Sequence, residues 1–191
     1  VFSLEDGLKL IAQRGRLIQS LPQDGTMAVV FASVEKVAPL LQGYEDKVSI
    51  ACINGQNNVV ISGVKETVGE ILEELKSEGI NAQALQVSHA FHSPLMASIL
   101  DEFERVANEV EFQKPRIPFV SNVTGGVLEA RQIPDAAYWR QHLRGTVKFL
   151  AGMEALSQRE YDIFLEIGPS TTLLGMGRKC LPENTSTWLP S

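Results

Sequence analysis

The spacing of hydrophobic and polar residues over residues 26–87 switches repeatedly between a strand-like and a helical period. Strand-like runs are found at Met27–Ala32, Val48–Ile53, Val59–Ser62 and Ile80–Val87. A short helix capped by Ser33 follows the first run, and a longer helix over Val64–Ser77 is stopped by Gly79. The resulting order, β-α-β-β-α-β, is that of the ferredoxin-like split motif. We therefore expect a small subdomain over residues 26–87.

A helix is predicted before this unit, and an α/β pattern after it. Residues 4–19 begin at a Ser3 cap and place apolar residues at helical spacing, at Leu4, Leu8, Ile11 and Ile18. Beyond residue 88 the predicted elements are a helix opened by Ser93-Pro94, a buried strand Pro118–Val123, helices at 135–143 and 147–158, an apolar strand Ile163–Ile167 and a helix Thr171–Arg178. Strands that alternate with helices indicate a parallel α/β layer. The tail, residues 181–191, is rich in proline and polar residues and predicts a linker.

Composition narrows the possible functions. The chain carries 17 Lys and Arg against 23 Asp and Glu, a net charge of −6, and has no basic run longer than two residues. This argues against nucleic acid as the main partner. The longest apolar run, Met27–Ala32, is far too short to span a bilayer. Two cysteines without a C-x-x-C pattern predict no disulfide framework and favour a reducing, cytoplasmic compartment. Because the chain starts at Val1 with no signal peptide in view, we expect an excised domain or a fragment.

The segment Ser88–Pro94 holds two of the three histidines, at a predicted strand-to-helix junction. Three interpretations are open from the residues alone. His89 and His92 could pack a turn; they could bind a metal ion, with Asp101 and Glu102 as the nearby acidic residues; or one could be the general base for a nucleophile elsewhere. No G-x-S-x-G nucleophile elbow occurs in the chain, and the nearby Ser93 is better placed as a helix cap.

Arg14, Gly15 and Arg16 lie on the first predicted helix. An arginine there is commonly a solvated charge, but its planar guanidinium can also bind a carboxylate. A glycine in mid-helix costs about 1 kcal/mol relative to alanine. Gly15 therefore suggests close approach of another element or of a ligand. Ser170, after Gly168-Pro169, is also not a candidate nucleophile, because we expect it to cap the helix that follows.

Segments spread along almost the whole chain resemble the motifs of one family, in the same order. They are Arg14–Gln19, Asn54–Gly63, His89–Pro94, Trp139–Phe149 and Phe164–Pro169. These are similar to the R-G-R-L-M-Q helix, the N-G-P-x-x-V-V-x-S-G hairpin, the H-A-F-H-S-P segment, the Y-W-x-x-H-L-R-x-x-V-x-F stretch and the F-L-E-I-G-P turn of acyltransferase domains. Those domains belong to modular type I polyketide synthases and are relatives of the malonyl-CoA:acyl carrier protein transacylases.

The resemblance implies an α/β-hydrolase-like large subdomain interrupted by the ferredoxin-like one. Residues 1–25 and 88–180 would belong to the large subdomain, and residues 181–191 would follow it as a linker. His92 would be the catalytic base, Arg14 would bind the free carboxylate of the acyl group, and His89 and Phe91 would line the acyl pocket in its malonyl form. A backbone carbonyl within Val147–Phe149 would orient the imidazole.

The function implied is the transfer of malonyl from malonyl-CoA to the phosphopantetheine thiol of an acyl carrier protein. No metal or other bound cofactor is implied. The expected partners are the carrier protein and the neighbouring synthase domains, without nucleic acid or membrane. Because the family's G-H-S-x-G serine is absent, the resemblance implies the C-terminal part of a domain, inactive by itself. A free-standing transacylase of fatty-acid synthesis and a non-catalytic ferredoxin-like interaction module are the alternatives.

Overall fold

The computed structural model describes residues 1–128, 131–181 and 186–191. Its regular elements in chain order are helix α1 Leu4–Gln19, strand β1 Gly25–Val30, helix α2 Val34–Val37, strands β2 Val48–Gly55 and β3 Asn58–Val64, helix α3 Lys65–Ser77, strand β4 Ala82–Ala84, helices α4 Leu100–Ala107, α5 Ala136–Arg144 and α6 Phe149–Ser157, strand β5 Ile163–Glu166, helix α7 Thr172–Cys180 and strand β6 Thr187–Pro190. Short 3₁₀ segments, Ala38–Leu41 and Pro94–Ile99, follow α2 and precede α4.

The first four strands form an antiparallel sheet in the spatial order β2-β3-β1-β4. Along the chain these elements follow the predicted order β-α-β-β-α-β. Strands β2 and β3 extend beyond the predicted runs Val48–Ile53 and Val59–Ser62, so that only Gln56 and Asn57 separate them. Strand β4 is confined to Ala82–Ala84, because only this part of the predicted Ile80–Val87 run pairs with β1.

The two faces of this sheet pack against different parts of the molecule. One face buries Val30, Val59 and Ile61 against Val68, Ile71 and Leu75, the apolar stripe of α3. The opposite face presents a smaller cluster, Met27, Ala51 and Val60, which contacts the side chain of Phe91. The alternation of side chains along a strand produces this division. The contact with Phe91 places the His89–His92 loop directly on this second face of the sheet.

A second core joins α1 to α4 and α5. Leu10, Ile18, Met96, Phe103 and Leu143 are buried there. The predicted helix is confirmed, but of the four apolar residues whose spacing predicts it, Ile18 is buried and Leu4, Leu8 and Ile11 are 74%, 59% and 55% exposed. Helical spacing identified the amphipathic helix but not the face that the described residues cover.

The segment after Ser93 begins at the predicted cap but is not one continuous helix. Ser93 Oγ accepts a hydrogen bond from the Leu95 amide at 3.2 Å, as expected for an N-cap. The first turns, Pro94–Ile99, are 3₁₀, and the α-helix starts only at Leu100. Ser93 Oγ also donates to the Ala90 carbonyl at 2.6 Å, which fixes the preceding loop to this helix start.

The predicted strand Pro118–Val123 is wrong: within it the structure shows only an isolated bridge between Val120 and Val127. A tight turn closes directly after this bridge. Ser121 Oγ lies 3.1 Å from the Val123 amide, and the Gly125 amide donates to the Ser121 carbonyl at 2.7 Å. The backbone groups of Ser121 are thus used within the turn, and the Asn122 carbonyl accepts from the Lys148 amide at 2.9 Å. Residues 118–123 therefore join no ladder within the described part of the chain.

At the C-terminal end the predicted strand forms, but the predicted linker contains a second strand. Strand β5 is exposed at Ile163 and Leu165, and it pairs in parallel with β6. The end of the predicted linker is therefore a strand, anchored by Trp188, whose ring stacks on Phe164 at a centroid distance of 4.3 Å. Residues 182–185 of that tail lie outside the described residues.

Helix α7 is capped by a carboxylate instead of by Ser170. Glu166 accepts hydrogen bonds from the amides of Leu173 and Leu174 at 3.1 and 2.8 Å. Ser170 Oγ instead lies 3.0 Å from Thr172 Oγ1. A carboxylate at this end of a helix meets both the unpaired amides and the positive end of the dipole.

Both cysteines, Cys52 and Cys180, are unpaired thiols. Burial raises the pKa of each to about 11, so both are protonated near neutral pH. Among the helices described, none combines the length and the apolar composition needed to cross a bilayer.

Candidate active site

The loop that carries His89 and His92 is held against β1 by close packing. Ala90 and Ser93 in this loop are buried. A Cβ atom placed on Gly25, at the start of β1, would lie 2.6 Å from the Cβ of Ala90. Only glycine at that position lets the loop approach so closely, and the approach fixes the height of the two histidines above the sheet.

His92 has the geometry of a general base. Its Nδ1 lies 2.9 Å from the backbone carbonyl oxygen of Gly145, just beyond the end of α5. A carbonyl only accepts, so Nδ1 carries the proton in the neutral ring and Nε2 carries the lone pair. No described residue makes a hydrogen bond to Nε2, which leaves that lone pair available to a substrate or nucleophile.

The electrostatic surroundings keep His92 neutral. Burial is the largest effect. Together with repulsion from His142 when both rings are protonated, and with the positive charges of Arg14 and Arg144, it lowers the pKa of His92 to about 4; the Gly145 hydrogen bond opposes this shift. At physiological pH the ring is therefore neutral and able to accept a proton. An anion bound among these cations would offset their charges and raise the pKa of His92.

Arg14 faces a cavity of about 260 Å³ that is walled by apolar and aromatic residues, among them Phe103, Trp139 and His142. Burial lowers the pKa of its guanidinium. No hydrogen bond or ion pair joins Arg14 to another described residue, whereas Arg105 and Arg140 both pair with carboxylates. A partly desolvated guanidinium without a partner is a strong candidate for binding an anionic ligand.

The glycine next to Arg14 does not accommodate another protein element. A Cβ on Gly15 would have no atom within 4 Å. The close approach of another element suggested by its position in mid-helix is therefore not found among the described residues. The ligand interpretation of Gly15 stays a prediction.

His142 is near both Arg14 and His92. It lines the same cavity as Arg14, and its ring centroid lies 6.2 Å from that of His92 and 5.4 Å from that of Trp139. Burial lowers the pKa of His142, and the charge of Arg14 lowers it further. The surroundings thus lower the pKa of both imidazoles near Arg14, whereas Arg14 is a permanent positive charge at the site.

His89 occupies a different environment from His92. It is 2% exposed, with Nδ1 3.0 Å from Ser88 Oγ and Nε2 3.2 Å from the Leu21 carbonyl oxygen. With both nitrogens engaged, it has no lone pair to offer as a base. Its ring meets that of Phe91 edge-on at 6.4 Å, and it lines a separate cavity of about 190 Å³.

Sequence reasoning missed several contributors to this site. The carbonyl that orients His92 belongs to Gly145, not to Val147–Phe149, because the Val147 carbonyl already accepts from the Ile53 amide at 2.8 Å. Ser49 and Arg144, which contact the backbone of His92, were also missed. A backbone carbonyl has no residue signature, and a serine within a strand gives no signal of its distant partner.

Acidic residues near this loop are engaged in ion pairs. Asp101 pairs with Arg140 at 2.6 Å and Glu102 with Arg105 at 2.7 Å. Across residues 1–128, 131–181 and 186–191, no group of three or more His, Cys, Asp or Glu side chains is arranged to hold a metal ion.

Comparison with known proteins links this arrangement to one family. A family profile described as "Acyl transferase domain" matches residues 1–188. Spectinabilin polyketide synthase system protein NorB of Streptomyces orinoci is 43% identical over 183 residues, which are 96% of this chain and 8% of that protein. Mycoketide-CoA synthase of Mycobacterium tuberculosis is 42% identical over 183 residues, again 96% of this chain, and 4% of its own length.

Solved structures give the same result. The acyltransferase domain from the second module of the salinomycin polyketide synthase superimposes with a TM-score of 0.95 at 41% identity, covering 100% of this chain and 44% of that one. The malonyl CoA-acyl carrier protein transacylase of Clostridium perfringens gives a TM-score of 0.90 at 26% identity, covering 98% and 60%. The chain therefore spans less than two thirds of each of these proteins.

Proposed function

The chain belongs to the acyl transferase domain family, and on that premise we propose that it forms part of a polyketide synthase domain that moves a malonyl group from malonyl-CoA to the phosphopantetheine thiol of an acyl carrier protein. The observation that carries the proposal is the state of His92. Its Nδ1 is bonded to the Gly145 carbonyl, its Nε2 has no described partner, and an unpaired Arg14 lies nearby.

The first half-reaction forms an acyl-enzyme. His92 Nε2 takes the proton of a serine hydroxyl while the serine oxygen attacks the thioester carbonyl of malonyl-CoA. The carbon–sulfur bond then breaks, and the imidazolium returns the proton to the departing CoA thiolate. The Gly145 carbonyl stabilises the imidazolium between these steps, because it accepts the Nδ1 hydrogen throughout.

The second half-reaction uses the same atoms in reverse order. The phosphopantetheine thiol gives its proton to Nε2 and attacks the serine ester, and the proton passes to the serine oxygen as the ester breaks. The chain has no G-H-S-x-G segment, so another part of the domain would supply the serine. We propose that this chain alone is inactive, and that malonyl-CoA and the carrier arm are its substrates rather than bound cofactors.

Arg14 accounts for the choice of a dicarboxylic acyl group. Its guanidinium would pair with the free carboxylate of malonyl, and an acetyl group would leave it unpaired and partly desolvated. A site with an unpaired polar group rejects the wrong substrate far better than a hydrocarbon pocket does. We assign His89 and Phe91 to the acyl pocket, with His89 acting from behind Phe91 to fix its ring.

The proposal extends to the architecture and the setting. Residues 26–87 form a ferredoxin-like small subdomain, supported by the order β2-β3-β1-β4, within an α/β-hydrolase-like large subdomain that includes residues 1–25 and 88–180. The neighbouring synthase domains and the carrier protein are the expected partners. Two protonated, unpaired thiols are compatible with a reducing cytoplasm.

Labelling with radioactive malonyl-CoA tests this function. The complete domain should take up one ester-linked malonyl group and release it to the thiol of a carrier protein. The 191-residue chain should take up none, because its base has no serine to activate. Stoichiometric ester-linked label on this chain, or an unlabelled complete domain, would contradict the proposal.

A further inference from the structure

We infer that Ser49 is a positioning residue for the base: its hydroxyl, on strand β2, holds the backbone of His92 in the left-handed conformation that aims the imidazole. The inference rests on the proposed function, since it takes His92 as the base. Ser49 Oγ donates a 2.7 Å hydrogen bond to the His92 carbonyl oxygen across 43 positions of sequence.

The backbone of His92 needs such a support. Its φ is 58°, and Glu160 is the one other non-glycine residue with a positive φ in the described ranges. In this region the Cβ of an L-residue crowds the following carbonyl oxygen. A residue stays in it only where the surroundings over-determine the conformation, and such residues cluster at active sites.

The contacts around His92 restrain both its backbone and its ring. Ser49 holds the carbonyl, and Arg144 Nη1 lies 3.4 Å from Ser49 Oγ and 3.5 Å from the same carbonyl. The Gly145 carbonyl holds Nδ1 at 2.9 Å. Release of the His92 carbonyl would let φ and ψ relax and would swing the ring away from Gly145. Ser49 bonds the backbone and neither ring nitrogen, so it acts through His92.

The chain offers a matched control for Ser49. Ser62 is its cross-strand partner in the β2–β3 register, and it is fully buried. Its Oγ has no hydrogen-bond partner among the described residues. Ser49→Ala and Ser62→Ala therefore remove the same atom from neighbouring sites on the same sheet, but only the first removes a hydrogen bond to His92.

The test is rapid-quench measurement of the acylation of the complete domain by radioactive malonyl-CoA. The burst amplitude gives the number of folded active sites, and the burst rate constant gives the rate of the acylation step. Ser49→Ala should lower the rate constant about three- to tenfold, the range expected for one hydrogen bond, with amplitude and KM for malonyl-CoA retained. Ser62→Ala should leave all three unchanged. Threonine and valine have nearly the same shape, but only threonine carries a hydroxyl group. Ser49→Thr should therefore retain the wild-type rate constant, and Ser49→Val should lower it. This pair replaces Ser49→Ala if the alanine variant does not fold.

An unchanged rate constant in Ser49→Ala and Ser49→Val, a loss of amplitude alone, or an equal loss in Ser62→Ala would overturn the inference. His92→Ala, measured in the same series, separates the two claims. If His92→Ala abolishes the burst while the Ser49 substitutions leave the rate constant unchanged, only the positioning role of Ser49 is wrong. If His92→Ala acylates at the wild-type rate, the proposed base is wrong as well.

Discussion

Arg14 and Arg16 lie two positions apart on α1, and their guanidinium groups have different surroundings. Arg14 is partly buried beside an aromatic cavity, whereas Arg16 is exposed. Arg14→Ala in the complete domain should reduce malonyl transfer about ten- to a hundredfold more than acetyl transfer, since a hydrogen bond to a charged group contributes about 1.5–3 kcal/mol. Arg16→Ala is the control and should change neither. Equal effects of Arg14→Ala on both acyl groups would show that it does not bind the carboxylate.

The role proposed for His89 and Phe91 is to shape the acyl pocket, not to transfer protons. His89→Tyr combined with Phe91→Ser replaces the phenyl ring by a hydroxymethyl group and should open space beside the α-carbon of the bound acyl group. A methyl branch is worth about 1–3 kcal/mol in such a pocket, so relaxed choice between malonyl and methylmalonyl is expected, not reversal. Competition between the two CoA esters measures this choice. Unchanged selectivity would remove both residues from the pocket.

The buried imidazoles also make stability depend on pH. Burial holds the pKa of His92 at about 4 in the folded chain, against 6.5 for a free histidine, and it lowers the pKa of His142 as well. The unfolded chain therefore binds more protons than the folded one between these values, and the free energy of unfolding should fall as pH drops from 6.5 towards 4. Urea unfolding of the complete domain at pH 7 and pH 5 checks this, with His92→Gln expected to reduce the difference. A wild-type stability that rises on acidification would contradict the burial of a neutral ring.

At the scale of elements, helix α7 allows a comparison of two glycines. A Cβ on Gly175 would have no atom within 4 Å, whereas one on Gly177 would lie 2.7 Å from the ring of Trp188. Gly175→Ala should therefore stabilise the fold by up to about 1 kcal/mol through helix propensity. Gly177→Ala should destabilise it, because the indole that anchors β6 must move. Thermal unfolding of both variants decides this, and equal stabilisation by both would show that Trp188 does not pack on α7.

The sequence predicts those elements whose boundaries are set locally. Helix α3 has its apolar stripe and its glycine stop within fifteen residues, and Ser93 caps its helix start as expected. The predictions that fail depend on distant partners. Residues 118–123 have the composition of a short strand, yet only a neighbouring strand would make them one. The stack of Trp188 on Phe164, which orders the tail, joins residues that are not neighbours in the chain.

The same division applies to the candidate site. Arg14 and His92 were identified from motifs, and the structure places both around His142. The Gly145 carbonyl and the Ser49 hydroxyl were not identified, because each acts through a single hydrogen bond to a residue at least 43 positions away. Their roles became visible only once β2 and the end of α5 met at His92.

At the scale of the whole molecule, the candidate site lies where the two cores meet. Phe91 contacts both the Met27–Ala51–Val60 cluster of the small sheet and the helical core around Phe103. His92 follows it directly, held by β2 on one side and by the end of α5 on the other. Both parts of the fold thus position His92, the proposed base, and loosening either part should slow acyl transfer.

The most direct test of His92 as the base is the rate of acyl-enzyme formation in the complete domain. A serine hydroxyl is almost fully protonated at neutral pH and needs a base within reach, which contributes about a hundred- to ten-thousandfold to the rate. His92→Ala should therefore slow formation of the malonyl ester by at least about a hundredfold. Binding of malonyl-CoA should persist, because Arg14 is unchanged. Ester formation at the wild-type rate in His92→Ala would contradict the assignment of the base.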